Sequence, residues 1–254
     1  MTRLITRRAA IATAAVGATA LVGVEAFRGG GASKGILAAA EGLTIRTQRL
    51  LLRRRPLVRE FSAAEISAAF PTNGTTRPSG DLYQRLASTG FRDWALRIEG
   101  LVRTPLSLTL AQLARLEARS QITMHSCDEG WSAIAQWKGV PLGLLLTMAG
   151  PVAGAGYVVF HCLDKKHADG QHYYESIDLF DAYHPQTLLA YEMNGRPLPV
   201  EYGAPVRLRV ETQIGYKNAK YVDRIEVVDH LDRFGQGRGG WWEDFDNAVW
   251  YAGQ

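Results

Sequence analysis

The feature that most constrains the fold is a set of short segments in which apolar and polar residues alternate. In chain order they are residues 94–100, 121–127, 157–163, 206–211 and 221–229. Alternation places successive side chains on opposite faces of an extended chain, so each segment predicts a strand. Strand signals outnumber helix signals, and the sequence therefore predicts a strand-dominated α+β domain.

Short helices are predicted between these strands. One begins after Thr109, whose hydroxyl can cap it, and a second lies between Pro141 and Gly150. A third begins at Asp178 and ends before Pro185. Helices this short belong at the rim of the sheets and do not form a layer of their own.

The N-terminal residues predict an export signal. Arg7 and Arg8 precede an apolar, alanine-rich run at residues 9–24, the charge pattern of a twin-arginine signal. An arginine pair in an ordinary secretory leader is the alternative. We expect residues 1–40 to form a twin-arginine-type leader and the protein to be periplasmic or otherwise exported. The apolar run is short for a spanning helix, but an uncleaved membrane anchor stays open.

Composition divides the rest of the chain. Residues 41–80 include "FPTNGTTRPSG", whose turn-forming residues predict an irregular N-terminal arm. Residues 81–254 carry the strand and helix signals and are predicted to form one domain. The chain is 46% hydrophobic, with a net charge of only +4. Its basic residues are mostly scattered, so we do not expect a nucleic-acid partner.

The two cysteines, Cys127 and Cys162, have three competing uses. In an exported protein their spacing alone favours a disulfide. A nucleophilic thiolate would need a base such as His125 or His161. A thiolate is also a ligand for thiophilic metals, although no zinc-type spacing is present. The residues alone leave these alternatives open.

The segment around Cys127 resembles the metal-binding segment of the sulfite oxidase superfamily, in which a cysteine precedes a tryptophan and a W-x-G-x-P-L run. Here it reads "HSCDEGWSAIAQWKGVPLGLLL". Two later stretches resemble the cofactor-binding segments of that family: "NGRPLPVEYGAPVRLRV", which contains a G-x-P-x-R run, and "IGYKNAKYVDRIEVVD". Because three motifs occur in the family's order, the chain is identified as a member by resemblance.

The resemblance implies a molybdopterin-dependent oxidoreductase of the sulfite oxidase fold. Cys127 would be the protein ligand of molybdenum, and His161 would face the metal as a second catalytic residue. The residues implied to bind the molybdopterin cofactor are Asn73, Cys162, Tyr202, Arg207, Asn218, Ala219 and Lys220. The implied reaction is two-electron oxygen-atom transfer on a small, sulfur-containing substrate.

The chain also departs from its family. The periplasmic methionine-sulfoxide reductase branch has threonine where Cys162 aligns and asparagine where Tyr202 stands. The sulfite-oxidising branch has an arginine-rich stretch where this chain has Asp128 and Glu129. Acidic residues at the mouth of the site would repel a sulfite dianion. These differences leave the substrate and the direction of reaction open.

Partners are expected because the chain has no haem-attachment and no nicotinamide-binding motif. Electrons would be exchanged with a haem-containing protein, either soluble or membrane-bound. The length leaves no room for the dimerisation domain of larger family members, so we expect a monomeric catalytic subunit. The competing hypothesis is a non-enzymatic exported binding module with a disulfide between Cys127 and Cys162.

Overall fold

The computed structural model describes residues 57–166, 170–246 and 248–253, together with residues 42, 43 and 47. The predicted leader lies outside the described residues and stays a prediction. The chain divides into two compact units, Met1–Pro56 and Leu57–Gln254, and every element below belongs to the second. Within the described residues, no helix has the length and apolarity needed to span a membrane.

The first sheet contains the first and the last strand of the described chain. Its strands are β1 (Ala95–Gly100), β2 (Leu106–Thr109), β5 (Tyr157–Lys165), β6 (His172–Asp178) and β10 (Val222–Val228). Their order is β2-β1-β10-β5-β6. Only β1 and β10 run parallel, and the other pairs are antiparallel. The last strand therefore lies at the centre of the sheet, beside β5.

The second sheet contains strands from the segment around Cys127 and from the segment with the G-x-P-x-R run. Its strands are β3 (Arg119–Ser126), β4 (Ser132–Pro141), β7 (Leu188–Met193), β8 (Arg196–Pro197) and β9 (Arg207–Arg209). They follow the order β3-β4-β7-β8, and β9 also pairs with β7. Gly139 lets β4 approach β7 closely, because a Cβ there would lie 2.1 Å from the Leu189 carbonyl oxygen.

The helices are short and lie between strands. They are α1 (Asp81–Ser88), α2 (Leu110–Leu113), α3 (Leu142–Ala149), α4 (Leu179–Ala182) and α5 (Trp241–Phe245). The Thr109 and Asp178 side chains cap α2 and α4, and Gly150 ends α3 at φ +67°. Helix α2 has a single turn, and by Arg119 the chain already pairs with Gly139 in the second sheet.

The main hydrophobic core includes residues of both sheets and of α3, among them Leu96, Phe160, Leu145 and Leu208. A smaller cluster forms around Trp137. Ten strands in the described chain, with short helices between them, confirm the predicted strand-dominated α+β class.

The described part of the arm, residues 57–80, contains one 3₁₀ turn at Ala63–Glu65 and no strand. Its backbone is nevertheless fixed against the second sheet. The Phe61 amide donates to the Ile122 carbonyl, and the Ser67 amide donates to the Ile134 carbonyl. These contacts hold the arm on β3 and β4, near the end of β3 where Cys127 begins a loop.

Candidate active site

Cys127 lies in the tight loop that joins β3 to β4. Its amide donates to the Trp131 carbonyl at 2.8 Å, and its carbonyl accepts from the Gly130 amide at 3.1 Å. Gly215 packs against the loop, because a Cβ there would lie 3.1 Å from Cys127 Cα. The thiol is thus presented by a fixed hairpin end, with 8% of the residue exposed.

The thiol has two polar neighbours. Asn73 Nδ2 lies 3.6 Å from Cys127 Sγ, and Asp128 Oδ1 lies at the same distance. Burial raises the pKa of Cys127, and the charges of Asp128 and Glu129 raise it further, against the hydrogen bonds from Asn73 and the Glu129 backbone. A thiophilic metal would therefore have to displace the thiol proton on binding.

Lys220 is a partly buried ammonium that is held by the backbone. Its Nζ donates to the Asn73 carbonyl at 2.7 Å and to the Glu201 carbonyl at 3.1 Å, and it also contacts the Thr75 carbonyl. Burial, with the nearby charges of Arg207 and Lys166, lowers the pKa of Lys220 to about 7. An ammonium in this position favours a bound anion.

Arg207 provides a second cation beside Lys220. It is 2% exposed and donates to the Tyr202 carbonyl at 3.0 Å and the Asn218 carbonyl at 3.2 Å, while its Nε has no partner among the described residues. Burial and then the charge of Arg209 lower the pKa of Arg207. The two cations supply positive charge that carbonyl groups alone do not neutralise.

Gly203 allows the two cations to come together. It adopts φ +112°, and a Cβ there would lie 2.9 Å from Lys220 Cβ and 3.2 Å from Arg207 Cβ. A side chain at this position would be both strained and crowded. The positive φ and the crowding explain why glycine stands at this position of the G-x-P-x-R run.

A cleft of about 480 Å³, including its open mouth, lies beside these residues. Four of the predicted site residues line it: Asn73, Asn218, Ala219 and Lys220. Carboxylate, cationic and aromatic side chains complete the wall, among them Asp128, Glu129, Asp164, Lys166, Tyr173 and Trp242. Asn218 is fixed there because its Oδ1 accepts from the Val210 amide at 2.9 Å.

These residues fit the molybdopterin cofactor. Lys220 and the unpartnered Arg207 Nε suit the phosphate end of a pterin. Cys127 offers the sulfur donor that a thiophilic metal prefers, and Asn73 connects the two ends of the site by contacting both Cys127 and Lys220.

Tyr202 contributes through its backbone. Its carbonyl accepts from Arg207 at 3.0 Å, whereas its hydroxyl donates to the Phe70 carbonyl at 2.7 Å. The ring packs against the cluster around Trp137 and does not line the cleft. The structure therefore brings Tyr202 to the site without placing its side chain there.

Cys162 and His161 lie away from the cleft wall, and their positions do not support the predicted roles. Cys162 is 4% exposed within the main core, where burial raises the pKa of its thiol well above its usual range. His161 points to the opposite face of β5, and its Nε2 lies 3.1 Å from Glu226 Oε2. Both cysteines are free thiols, so the disulfide of the competing hypothesis is not formed.

His125 is a neighbour of the site that the resemblance did not indicate. Arg209 donates to its Nδ1 at 2.7 Å, which leaves the proton on Nε2, and that atom has no partner among the described residues. Burial and the charge of Arg209 lower the pKa of His125 well below its usual range. His125 lies two residues before Cys127, and residues two apart in an extended chain point to the same face; this position was the sequence signal that could have indicated His125.

Comparison with known proteins identifies the family. Residues 84–233 match the family model described as "Oxidoreductase molybdopterin binding domain". The putative protein-methionine-sulfoxide reductase subunit YedZ1 of Azospira oryzae is 36% identical over 76% of this chain and 70% of its own length.

Two further relatives are named protein-methionine-sulfoxide reductase catalytic subunit MsrP. The protein from Xanthomonas campestris is 36% identical, and the one from Gluconobacter oxydans is 38% identical, each over 54% of this chain. The chain spans 46% and 47% of the length of these two relatives.

Among solved structures, the sulfane dehydrogenase SoxCD from Paracoccus pantotrophus matches at 24% identity and a TM-score of 0.49, over 59% of this chain and 45% of its own. The sequence matches alone are sufficient to classify the chain. It belongs to the molybdopterin-binding oxidoreductases of the sulfite oxidase family and is an enzyme of that class.

Proposed function

We propose that this oxidoreductase reduces a small, uncharged sulfoxide, such as a methionine sulfoxide side chain, by two-electron oxygen-atom transfer. The observation that carries the substrate class is the carboxylate of Asp128, 3.6 Å from the Cys127 sulfur, with Glu129 also lining the cleft. The names of the relatives support a sulfoxide substrate.

The charge next to the thiol separates two candidate substrates. Like charges near a protein surface repel each other, so a carboxylate beside the thiol disfavours a sulfite dianion bound there. A sulfoxide has no net charge and avoids that repulsion. Its polar S=O group can still accept hydrogen bonds from donors in the cleft.

The proposed roles follow from the contacts. Cys127 is the protein ligand of molybdenum, and the Asn73 amide, 3.6 Å from its sulfur, orients the thiolate. Lys220 and Arg207 hold the phosphate end of the cofactor. The bound cofactor supplies the two-electron oxygen-atom chemistry, while the protein binds and orients the substrate and supplies protons.

Export and an electron partner complete the proposal. The twin-arginine pattern at Arg7 and Arg8 supports a periplasmic location for the folded, cofactor-loaded enzyme. The lack of a haem or nicotinamide motif in the sequence supports a haem protein as electron donor.

The test compares cofactor content and turnover in two cysteine variants. Protein from a molybdenum-replete host is analysed for molybdenum by plasma mass spectrometry, and reduced viologen oxidation is followed with methionine sulfoxide. Cys127→Ala is expected to lose activity with its fold intact, because one thiol contributes little packing. Cys162→Ala, the matched control, is expected to keep both metal and activity, because Cys162 lies in the core.

Sulfite oxidation is measured on the same samples with a dye acceptor. Sulfite turnover with no sulfoxide reduction would refute the proposed substrate. Full sulfoxide reduction by Cys127→Ala would refute the proposed ligand.

A further inference from the structure

A buried charge cluster lies directly behind the cleft. Lys217 Nζ donates to Glu175 Oε1 at 2.5 Å and to Glu243 Oε1 at 2.8 Å, and these three side chains are at most 1% exposed. They come from three elements: β6, the 3₁₀ turn Gly215–Lys217 and α5. The segment "IGYKNAKYVDRIEVVD", which resembles a cofactor-binding segment of the family, thus places Lys217 in this cluster and not in the cleft wall.

The cluster contains one ammonium and two carboxyl groups. With both carboxyl groups ionised it would hold a net negative charge away from water, which is strongly unfavourable. One added proton makes Lys217, Glu175 and Glu243 neutral together. Burial and the charge of Glu243 raise the pKa of Glu175 well above its usual range, which also favours a protonated Glu175.

The hydrogen bonds indicate which carboxyl group holds the proton. Glu175 Oε1 accepts from Lys217 and from the Ser176 amide at 2.8 Å, so Oε2 is the oxygen left to carry a proton. Glu175 Oε2 lies 3.4 Å from the Tyr173 hydroxyl oxygen. The corresponding oxygen of Glu243, Oε2, has no partner among the described residues to which it could donate.

Tyr173 connects this proton to the cleft. Its hydroxyl donates to the Tyr216 carbonyl at 2.7 Å, so its oxygen is free to accept from Glu175. Tyr173 and Tyr216 both line the cleft that Asn73 and Asp128 also line. The Tyr173 side chain therefore lies next to Glu175 Oε2 and also lines the cleft.

We propose that Glu175 is kept as a neutral carboxylic acid and supplies, through the Tyr173 hydroxyl, one of the two protons consumed at the cleft. This role rests on the proposed sulfoxide reduction, in which R₂S=O, two electrons and two protons give R₂S and water. The haem partner supplies the electrons. For this step the Tyr173 hydroxyl turns from the Tyr216 carbonyl toward the departing oxygen; its O–H bond breaks and is re-formed by the Glu175 proton, and water in the cleft supplies the second proton. Water in the emptied cleft then reprotonates Glu175 by the same path in reverse, through the Tyr173 hydroxyl.

The groups around Glu175 set the sign of its pH dependence. Four titratable groups lie near Glu175: Tyr173 on the same strand, Lys217 in the 3₁₀ turn, Glu243 on α5 and Cys162 on β5. Among these four groups only Lys217 is a cation, and it is shared with Glu243; a second cation, Lys166, lies 4.9 Å from the centroid of the Tyr173 ring. Turnover is therefore expected to fall as the pH rises through the pKa of Glu175, because the acid form is then lost.

Infrared spectroscopy tests the protonation state without the cofactor. Cofactor-free wild-type protein at neutral pH is expected to show a carboxylic acid carbonyl band that shifts in heavy water and is absent from Glu175→Gln. Tyr173→Phe should keep this band, because the contacts of Glu175 with Lys217 and Ser176 remain. A wild-type spectrum identical to that of Glu175→Gln would overturn the inference.

Turnover of the loaded protein tests delivery. Positioned proton transfer typically contributes about 10²–10⁴ in rate, so Glu175→Gln and Tyr173→Phe should each lose at least about 10-fold in kcat. Glu175→Gln should also lose the alkaline decline. The matched control is Tyr174→Phe, on the other face of β6, where the hydroxyl contacts Asp244 and not the cleft. It is expected to retain wild-type turnover.

Three results distinguish failure of this inference from failure of the proposed function. Active wild-type protein without the band, or unchanged turnover in Tyr173→Phe, would overturn the inference and leave sulfoxide reduction standing. Loaded wild-type protein that has the band but reduces no sulfoxide would overturn the proposed function and the delivery step with it.

Discussion

Replacement of Lys220 by methionine should change how the stability of the cofactor-free protein depends on pH. The pKa of this lysine is about 7 in the folded protein, because of burial and nearby positive charge, and about 10.4 in an unfolded chain. Between these values the unfolded state binds more protons, so the wild-type protein gains stability as the pH rises. Lys220→Met removes this contribution.

The size of the effect follows from the two pKa values. Between pH 6.5 and 9 the linkage relation gives about 2.5 kcal/mol, and about 1–2 kcal/mol once screening by water in the cleft is included. Urea unfolding at both pH values measures it as the difference between wild type and Lys220→Met. Lys138→Met, at a partly exposed salt bridge with Glu192, is the control. The hydrogen bond to Glu192 raises the pKa of Lys138, so this lysine stays protonated between pH 6.5 and 9 and its loss should leave the pH dependence of stability unchanged over that range.

Equal pH dependence in wild type and Lys220→Met would refute the argument that burial and nearby positive charge lower the pKa of Lys220. The same variant should load less molybdenum in a replete host, because the phosphate end of the cofactor loses a charge-assisted hydrogen bond. The pH dependence of stability is measured on cofactor-free protein and the molybdenum content on protein from a replete host, so the two predictions are tested independently. A variant with normal metal content would show that the anion binds elsewhere.

Three further substitutions test the geometry. Gly203→Ala should cost about 1–3 kcal/mol, from the positive φ and the 2.9 Å approach to Lys220 Cβ, and should lower molybdenum content; thermal unfolding and metal analysis measure both. Gly139→Ala should separate β4 from β7 at Leu189 and lower the unfolding midpoint in urea, and an unchanged midpoint would contradict the close packing. Asp128→Asn should strengthen inhibition of sulfoxide reduction by sulfite about 10-fold, read from the inhibition constant, because the variant lacks the carboxylate that repels the anion; a 10-fold change corresponds to about 1.4 kcal/mol.

The strand pattern and the metal-binding segment could be predicted because both are local in sequence. Alternation from residue 121 to 127 predicts β3 and places Cys127 at its end, where the structure has it. Residues 206–211 give a shorter strand than predicted, Arg207–Arg209. The chain turns away after Arg209 because the Val210 amide is bonded to the Asn218 side chain and not to a strand.

His161 shows why position in sequence does not give position in the site. It is adjacent to Cys162 on β5, and neighbouring residues on a strand point to opposite faces. Burial of Cys162 in the core therefore directs His161 to the other side, where it meets Glu226. Which face of β5 is buried depends on β10, whose pairing with β5 spans residues distant in the chain.

The arm is the part of the site that sequence predicts least, yet it completes the cationic end. Two of the three carbonyls that hold Lys220 belong to the arm, at Asn73 and Thr75, and the third belongs to Glu201. The ammonium thus fixes a segment without regular structure, and the same segment places the Asn73 amide on the Cys127 sulfur. Because burial destabilises the Lys220 charge, an anion bound beside it would strengthen the contacts that dock the arm. Cofactor binding and arm docking should therefore support each other, and the irregular segment belongs to the site as fully as the strands that carry the motifs.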